Sequence, residues 1–275
     1  MIRGDGIRRN IKSVDPDERA ALRDAIIEMH HRYFPDGVSW WFKQDEIHQA
    51  THVHGGPEFL PWHREITNRF EAMLRTINPL LSLHYWDFAD DPTNALGGNP
   101  SPLNLFDANF MGSAQPAAGQ HDDPSLTGSG GNTIDNIDAG DPWLTNGFYD
   151  PLAGTPGHPD RDTTNNPIDP VKHISRTKVA PGALYPIASI GGMPFGEMCP
   201  SIPINSDDDI LYNTNGTPVL FPTFRLRLEC THNRAHVYIA NVSPHIAFRD
   251  PLVFLIHSNI DRIFAKWQTN PMYPE

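Results

Sequence analysis

The sequence contains the stretch HGGPEFLPWHR at residues 54–64. The glycines and proline at 55–57 interrupt regular structure there, because glycine is conformationally free and proline lacks a backbone donor. Apolar residues then recur at helical spacing over residues 59–77, and an Asn-Pro pair ends the pattern. We therefore predict that His54 lies in a loop and that His63 lies on the apolar face of the helix that follows.

A second histidine stretch, HNRAH, occupies residues 232–236. An α-helix turns about 100° per residue, so His232 and His236 leave the same side of a helix and can bind one ion. His257 lies on the apolar face of a last helix, which is predicted to open at the Asp-Pro pair 250–251. No glutamate follows His232, which excludes the HExxH motif of zinc proteases.

Two more helices are predicted before residue 54. The first opens with Asp15 as N-cap and Pro16 in the first turn, and Glu18 is expected to complete a capping box. The second is predicted over residues 39–48. We assign four aromatic residues of the predicted helices to the core: Phe59, Trp62, Phe70 and Phe254.

Periodicity is largely lost between residues 88 and 222, a stretch rich in Gly, Pro, Asn, Asp and Ser. We predict several packed loops with a few short strands there. The alternating segment FRLRL at 224–228 is interpreted as one more strand, and a helix is predicted over 232–239.

The net charge of -12 over 275 residues argues against nucleic acid as a partner, since phosphate binding needs clustered Lys and Arg. The basic residues near the N-terminus are interpreted as a solvated edge: Arg3, Arg8, Arg9 and Lys12. No apolar run reaches the length of a membrane span, and no secretory signal is visible. A cytoplasmic location is therefore expected, with export by a carrier protein left open. The two cysteines, Cys199 and Cys230, allow one disulfide at most.

Residues 54–64 resemble the first copper signature of the tyrosinase family. Residues 250–261, with the Asp-Pro pair and His257, resemble the second signature, and 232–236 resemble the paired ligands that precede it. The tripeptide Tyr-Trp-Asp at 85–87 is similar to the one that follows the third helix in that family. The resemblance covers roughly residues 10–92 and 222–268.

This resemblance implies a mainly α fold: a four-helix bundle around a dicopper centre, with long packed loops and a few short strands. We expect one domain over residues 1–275 without a C-terminal lid. Each copper ion would be bound by three histidines. Copper B would take His232, His236 and His257. Copper A would take His54, His63 and one histidine of the preceding helix, for which we choose His48 over the rivals His52, His31 and His30.

The resemblance also assigns roles to residues beside the ligands. In the family, an asparagine after the first copper B ligand, together with a nearby glutamate, is proposed to hold a water that deprotonates phenols. The corresponding residues here are Asn233 and Glu229. Asp261 is expected either to accept the second N–H of a ligand imidazole or to pair with Arg64 or Arg262.

The implied function is that of a type-3 copper oxidoreductase. It would oxidise phenols and o-diphenols to o-quinones with O2 and hydroxylate monophenols. Catechol oxidase or o-aminophenol oxidase activity without hydroxylation is one alternative, and O2 binding as in haemocyanins is another. A mononuclear zinc hydrolase would leave residues 54–64 unexplained. The expected partners are a small phenol and O2, with no nucleic acid and no membrane; a copper chaperone and the oligomeric state are left open.

Overall fold

The computed structural model describes residues 2–87, 103–105, 107, 109–112, 133–135, 175–177, 206–238, 248 and 250–272, with the backbone alone for 133–135, 175–177 and 237–238. These residues are mainly helical, which confirms the predicted fold class. Helices α1 to α6 span Pro16–His31, Trp40–Thr51, Phe59–Ile77, Asp207–Leu211, Phe221–Tyr238 and Leu252–Gln268. Two short strands, β1 (Thr133–Asp135) and β2 (Ser175–Thr177), pair antiparallel.

The core of the bundle is aromatic. Trp41 of α2 lies with its ring 5.9 Å from Phe70 of α3 and 5.8 Å from Phe254 of α6. The rings of Phe70 and Phe254 stack at 3.5 Å. Full burial of each such side chain contributes roughly 1.5–3 kcal/mol, so this cluster is a major reason why α2, α3 and α6 pack together. The core assignments of Phe59, Phe70 and Phe254 are confirmed, whereas Trp62 is only partly buried.

Helix α1 packs against α2 and α3, and its start follows the prediction in part. Asp15 accepts a hydrogen bond from the Asp17 backbone N–H at 3.0 Å, and Pro16 is the first helical residue. Glu18 is not part of a capping box, so that prediction is wrong. Its buried carboxylate instead lies 3.2 Å from the ring Nε2 of the fully buried His84, which needs a polar partner in the core.

Helix α5 begins at Phe221, so the predictions of a strand at 224–228 and of a helix start at residue 232 are both wrong. Phe224 and Leu228 are four residues apart and are both fully buried on one side of the helix. Between them, Arg227 is also buried, because it donates to the backbone oxygen of Tyr212 at 2.7 Å. The alternation of apolar and basic residues over 224–228 therefore does not mark a buried and an exposed face of a strand.

Polar side chains lie at the predicted starts of two helices. Ser39 is the N-cap of α2 and accepts the Phe42 N–H at 3.1 Å. The N-cap of α6 is Pro251, and Asp250 directly before it accepts the Leu252 N–H at 2.9 Å. Both side chains satisfy a backbone donor that a helix end leaves unpaired.

The middle of the chain contains β1 and β2, in agreement with the prediction of short strands, while most of the predicted loops fall outside the described residues. The short helix α4 was not predicted. Its Asp207 accepts hydrogen bonds from both terminal nitrogens of Arg262 at 2.7 and 2.8 Å and so ties α4 to α6. Cys230 of α5 is disulfide-bonded, and Cys199 lies outside the described residues.

The N-terminal segment is part of the packed structure. Arg8 donates to Glu71 of α3 at 2.6 Å and to Asp261 of α6 at 2.7 Å, and its side chain is 17% exposed. The interpretation of this residue as a solvated edge is wrong. Arg8 crosslinks the two helices that carry His63 and His257, so it braces the bundle next to the histidines.

Among the described helices, none combines the length and the apolar character that crossing a bilayer would require.

Candidate metal centre

The six histidines predicted as ligands lie together inside the bundle. Contacting rings in the group have centroids 4.4–5.8 Å apart. Five of them are buried and one, His54, is partly buried. We call them the first triad (His48, His54 and His63) and the second triad (His232, His236 and His257).

The helices and one loop bring the first triad together. His48 lies near the end of α2, and His63 lies in the second turn of α3. His54 comes from the connection between them, where Gly55 has a φ of 74°. Glycine adopts this left-handed conformation without strain, so the chain can turn sharply after His54. This agrees with the prediction that His54 leaves from a loop.

The second triad brings three ring nitrogens close together. The Nε2 atom of His232 lies 3.0 Å from Nε2 of His257 and 3.0 Å from Nε2 of His236. His232 and His236 project from one side of α5, and His257 projects from α6. Nitrogen ligands of one ion, each bonded at about 2.0–2.1 Å, lie about 3 Å apart in a tetrahedral or tighter arrangement. The spacing therefore fits a shared metal ion.

The proton positions exclude a simple hydrogen bond between His232 and His257. His257 donates its Nδ1–H to the Val253 carbonyl at 2.7 Å, and His232 donates its Nδ1–H to the Asn233 side-chain oxygen at 2.8 Å. In a neutral imidazole the other nitrogen then carries only a lone pair. Two lone pairs facing each other at 3.0 Å repel, and a cation between them removes the repulsion. The facing lone pairs of His232 and His257 thus fit a metal ion, and Nε2 of His236 lies 3.0 Å from one of them.

The first triad also presents buried nitrogens that a metal would satisfy. The ligand atoms of His48, His54 and His63 all lie within 4.8 Å of one another. His63 donates its Nδ1–H to the Phe59 carbonyl at 2.8 Å, which leaves the lone pair on Nε2. Nε2 of His63 and Nδ1 of His48 are buried and have no hydrogen-bond partner among the described residues. Such orphaned polar atoms are costly unless they bind something.

The two triads adjoin each other directly. The rings of His63 and His257 stack at 4.8 Å with an interplanar angle of 6°. The rings of His54 and His232 lie 5.8 Å apart. His63 also forms a group with His232 and His257 in which the ligand atoms lie within 4.8 Å of one another. The arrangement is therefore one continuous cluster, and His63 lies at the junction.

Burial keeps these rings neutral, which is the state that binds a metal. Loss of solvation, reinforced by the neighbouring histidines, lowers the pKa of His54 to about 4, and it lowers the pKa of His48, His63 and His232 well below the usual value. Desolvation lowers the pKa of His257 to about 3. A cation does not have to displace protons from any of these five rings at neutral pH.

The rivals for the third ligand of the first triad lie in other environments. His52 stacks on His48 at 4.9 Å, but its Nδ1–H donates to the His48 carbonyl at 2.8 Å, and it is not in the tight group of ligand atoms. The ring of His30 contacts Phe42 and the exposed His31. Among the candidates, His48 has the position that the first triad requires.

Asp261 takes one of the roles considered for it. It forms ion pairs with Arg64 and Arg8, which confirms the Arg64 alternative. It is not the acceptor for His257, because a backbone carbonyl accepts that N–H. Arg262 pairs with Asp207 instead. The carboxylate therefore braces α3 against α6 and does not orient a ring.

Asn233 and Glu229 both lie beside the triads, but they contact different parts of the cluster. Asn233 accepts the Nδ1–H of His232 and so fixes its ring orientation. Glu229 is buried; one oxygen accepts the Gly55 backbone N–H at 2.6 Å, and the other pairs with Arg225 at 2.5 Å. The predicted pair is thus next to the histidines, with Asn233 on the second triad and Glu229 on the loop of the first.

Sequence reasoning missed one aromatic residue of the site, Phe248. Its ring stacks on His48 at 4.2 Å and lies 4.9 Å from His257, and its side chain is fully buried. It thus spans both triads and shields them from water. Phe248 belongs to no periodic pattern in the sequence, so only the tertiary packing identifies it.

The depressed histidine pKa values predict that the metal-free protein loses stability at mildly acidic pH. Below about pH 6.5 the unfolded chain protonates these histidines, while the folded chain leaves them neutral down to the lowered pKa values of about 4 for His54 and about 3 for His257. Each such proton costs about 1.4 kcal/mol of stability per pH unit. Urea denaturation of the apoprotein between about pH 7 and about pH 4 measures this loss.

The metal-loaded protein is the comparison, since bound metal adds stability to the folded state and should keep the protein folded to a lower pH. The lowered pKa values of the carboxylates Asp5 and Asp207 act only below their ordinary value of 3.8, so they do not contribute in this window. An apoprotein of constant stability from about pH 7 to about pH 4 would contradict the prediction.

The chain is similar in sequence to known proteins. A family model described as the common central domain of tyrosinase matches residues 24–270. The tyrosinase of Streptomyces antibioticus is 24% identical over 274 residues, which cover 95% of this chain and 82% of that protein.

Two solved structures share the fold. A polyphenol oxidase variant from Thermothelomyces thermophila has a TM-score of 0.56 at 19% identity, covering 98% of this chain and 71% of that one. A functional unit of Octopus haemocyanin has a TM-score of 0.53 at 18% identity, covering 95% of this chain. This chain spans 53%, about half, of the haemocyanin unit.

Proposed function

Because the chain belongs to the tyrosinase family, whose members hold a binuclear copper centre, we propose that it oxidises phenols and o-diphenols to o-quinones with O2. The observation that carries the proposal is the convergence of two adjoining triads of neutral imidazoles. Imidazole suits copper, and copper(II) has the highest affinity in the divalent series. In this proposal the six histidines of the two triads are the copper ligands.

When bound, a copper pair supplies the transfer of two electrons from the phenol to O2. The protein contributes the position and the environment of the ions. Backbone carbonyls of Phe59 and Val253 hold the rings of His63 and His257 by their Nδ1–H groups, which directs both Nε2 lone pairs inward. The buried ring of Phe248 limits the access of water to the triads.

We further propose that the enzyme hydroxylates monophenols as well as oxidising catechols. Asn233 supports this extension, because its amide lies directly beside the second triad and accepts the Nδ1–H of His232. An amide fixed there can also orient a water or a phenol hydroxyl next to the ions. Oxidation of catechol or o-aminophenol without hydroxylation is the alternative outcome.

A side-by-side assay of copper-loaded protein with tyrosine, catechol and o-aminophenol tests the proposal. Oxygen uptake with quinone formed from both tyrosine and catechol is the expected result. Turnover of catechol or o-aminophenol without tyrosine would limit the enzyme to the alternative activities. Metal analysis should give two coppers per chain, and one zinc with no copper binding would refute the assignment.

Reversible O2 binding is a second candidate function, since the fold is shared with the Octopus haemocyanin unit. An O2 carrier would take up one O2 per copper pair and release it under vacuum, and it would show no sustained turnover of catechol. Steady quinone production over many turnovers excludes that role.

Replacement of Asn233 by alanine is expected to lower the rate on monophenols about tenfold more than the rate on catechols. The reason is that hydroxylation of the monophenol needs a hydroxyl deprotonated by a water that the Asn233 amide orients, whereas both substrates need His232 held in place. Initial rates with tyrosine and with catechol measure the ratio. Asn233→Asp is the matched comparison, because its carboxylate keeps an acceptor for the Nδ1–H of His232. Equal losses on both substrates in Asn233→Ala would contradict the role.

A further inference from the structure

A buried carboxylate connects the two triads. Glu229 lies on α5 three residues before His232, and its side chain is 5% exposed. One of its oxygens accepts the backbone N–H of Gly55 at 2.6 Å, across 174 positions of sequence. Gly55 directly follows His54. One side chain of the helix that carries the second triad thus holds the loop that carries a histidine of the first.

The geometry of the loop makes this contact important. His54 is the only member of the two triads that does not lie on a helix, so no helical hydrogen bonds fix its backbone. Gly55 turns the chain at a φ of 74°. A hydrogen bond from a charged carboxylate to the next N–H restrains that turn, and charge-assisted bonds of this kind are about twice as strong as neutral ones.

The carboxylate is itself held in place. Arg225, one turn earlier on α5, pairs with its second oxygen at 2.5 Å, and this arginine side chain is 14% exposed. Both oxygens of Glu229 are therefore engaged by fixed donors. A carboxylate held at both oxygens is suited to positioning the loop, and less suited to exchanging a proton with a bound water.

We propose that Glu229 is a positioning residue that holds His54 in the first triad and thereby sets the affinity of one copper ion. This inference rests on the proposed copper-binding function. It differs from the water-holding role implied by the sequence resemblance, because it predicts a defect in metal binding and not a selective defect in one reaction.

Copper binding to Glu229→Ala tests the proposal. Wild-type protein should bind two copper(I) ions in competition with a chromogenic chelator. The variant should bind one ion with wild-type affinity and the other about 10–100-fold more weakly. A loss of this size is usual when a group that orients a metal ligand is removed. After oxidation, a lone copper(II) in the variant should give an EPR signal, whereas the magnetically coupled pair in the wild type should not.

A double-mutant cycle with His54→Ala separates positioning from general destabilisation. Without a ring at position 54, the loop has no ligand to position, so Glu229→Ala should not weaken copper binding further. Glu28→Ala is the matched control, since Glu28 pairs with Arg32 at the same i,i+4 spacing on an exposed helix face. Its copper binding should equal that of the wild type.

Glu229→Gln keeps the shape of the side chain and serves if the alanine variant does not fold. Its single carbonyl oxygen must serve either Gly55 or Arg225, so an intermediate loss of affinity for one copper is expected. Binding of two coppers at wild-type affinity in these variants would overturn the proposal. This holds even if the variants lose monophenol oxidation, because the proposed role of Glu229 is in copper binding. An additive loss in the cycle would overturn it as well. Failure of the wild-type protein to bind two coppers would instead refute the proposed function.

Discussion

Replacement of His63 by alanine is expected to lower kcat/KM for catechol by at least about 1000-fold. His63 lies at the junction of the triads: its ring stacks on His257, and its buried Nε2 has no hydrogen-bond partner among the described residues. Metal stabilisation of a reaction is worth several kcal/mol, and about 4 kcal/mol corresponds to three orders of magnitude. Catechol oxidation and copper content measured on the same preparation check the effect.

The copper content should fall below two per chain in parallel with the activity, because the first triad loses a ligand. His31→Ala is the control, because His31 is exposed and is one of the rivals considered for that triad. Its removal should leave both the rate of catechol oxidation and the copper content unchanged. A His63→Ala variant that retained two tightly bound coppers and more than about a tenth of the activity would show that His63 is not a ligand.

Replacement of Glu71 by alanine is expected to lower the free energy of unfolding by about 3 kcal/mol. The Glu71 carboxylate is 9% exposed; it accepts hydrogen bonds from Arg8 at 2.6 Å and from Arg75 at 3.1 Å, and it accepts the buried Leu83 N–H at 3.0 Å. Removing one partner of a buried charge network typically costs 3–5 kcal/mol, and the partial exposure of the arginines reduces that figure. Urea denaturation of the apoprotein measures the change.

Glu65→Ala on the same helix provides the comparison. Glu65 pairs with Arg69 at the same i,i+4 spacing as Glu71 with Arg75, but its side chain is 60% exposed. Exposed pairs of this kind contribute a few tenths of a kcal/mol, so less than about 0.5 kcal/mol should be lost. Equal destabilisation by the two substitutions would show that the contacts of Glu71 with Arg8 and Leu83 do not brace the bundle.

The sequence predicted the parts of the site that depend on local geometry. Spacing placed His232 and His236 on one side of a helix, and the Gly-Gly-Pro break placed His54 in a loop; the structure has both arrangements. Cap residues such as Asp15 located the starts of helices, because capping depends on contacts within a few residues. The ligand role of the histidines remains a prediction, although the rings are gathered as it requires.

The parts that the sequence did not reveal depend on contacts between distant residues. Arg8 contacts Asp261, which lies 253 residues later in the sequence, and no local pattern predicts such a pair. Arg227 is drawn to the interior by backbone oxygens of a neighbouring segment, which made a helix look like a strand. Phe248 packs across both triads from outside any periodic segment. Each of these features is decided by tertiary packing, which overrides local periodicity.

The lone pairs of His232 and His257 that face each other have a consequence for how the protein must be produced. Imidazole nitrogens at this spacing, 3.0 Å apart, can bind any metal ion that accepts nitrogen ligands, so their geometry alone does not select one metal. Nickel or cobalt would be accepted too, and only the intrinsic order of stabilities favours copper. Protein from cells grown in copper-poor medium is therefore expected to carry a mixture of metals. Its specific activity then reports the metal supply during growth as much as the quality of the fold.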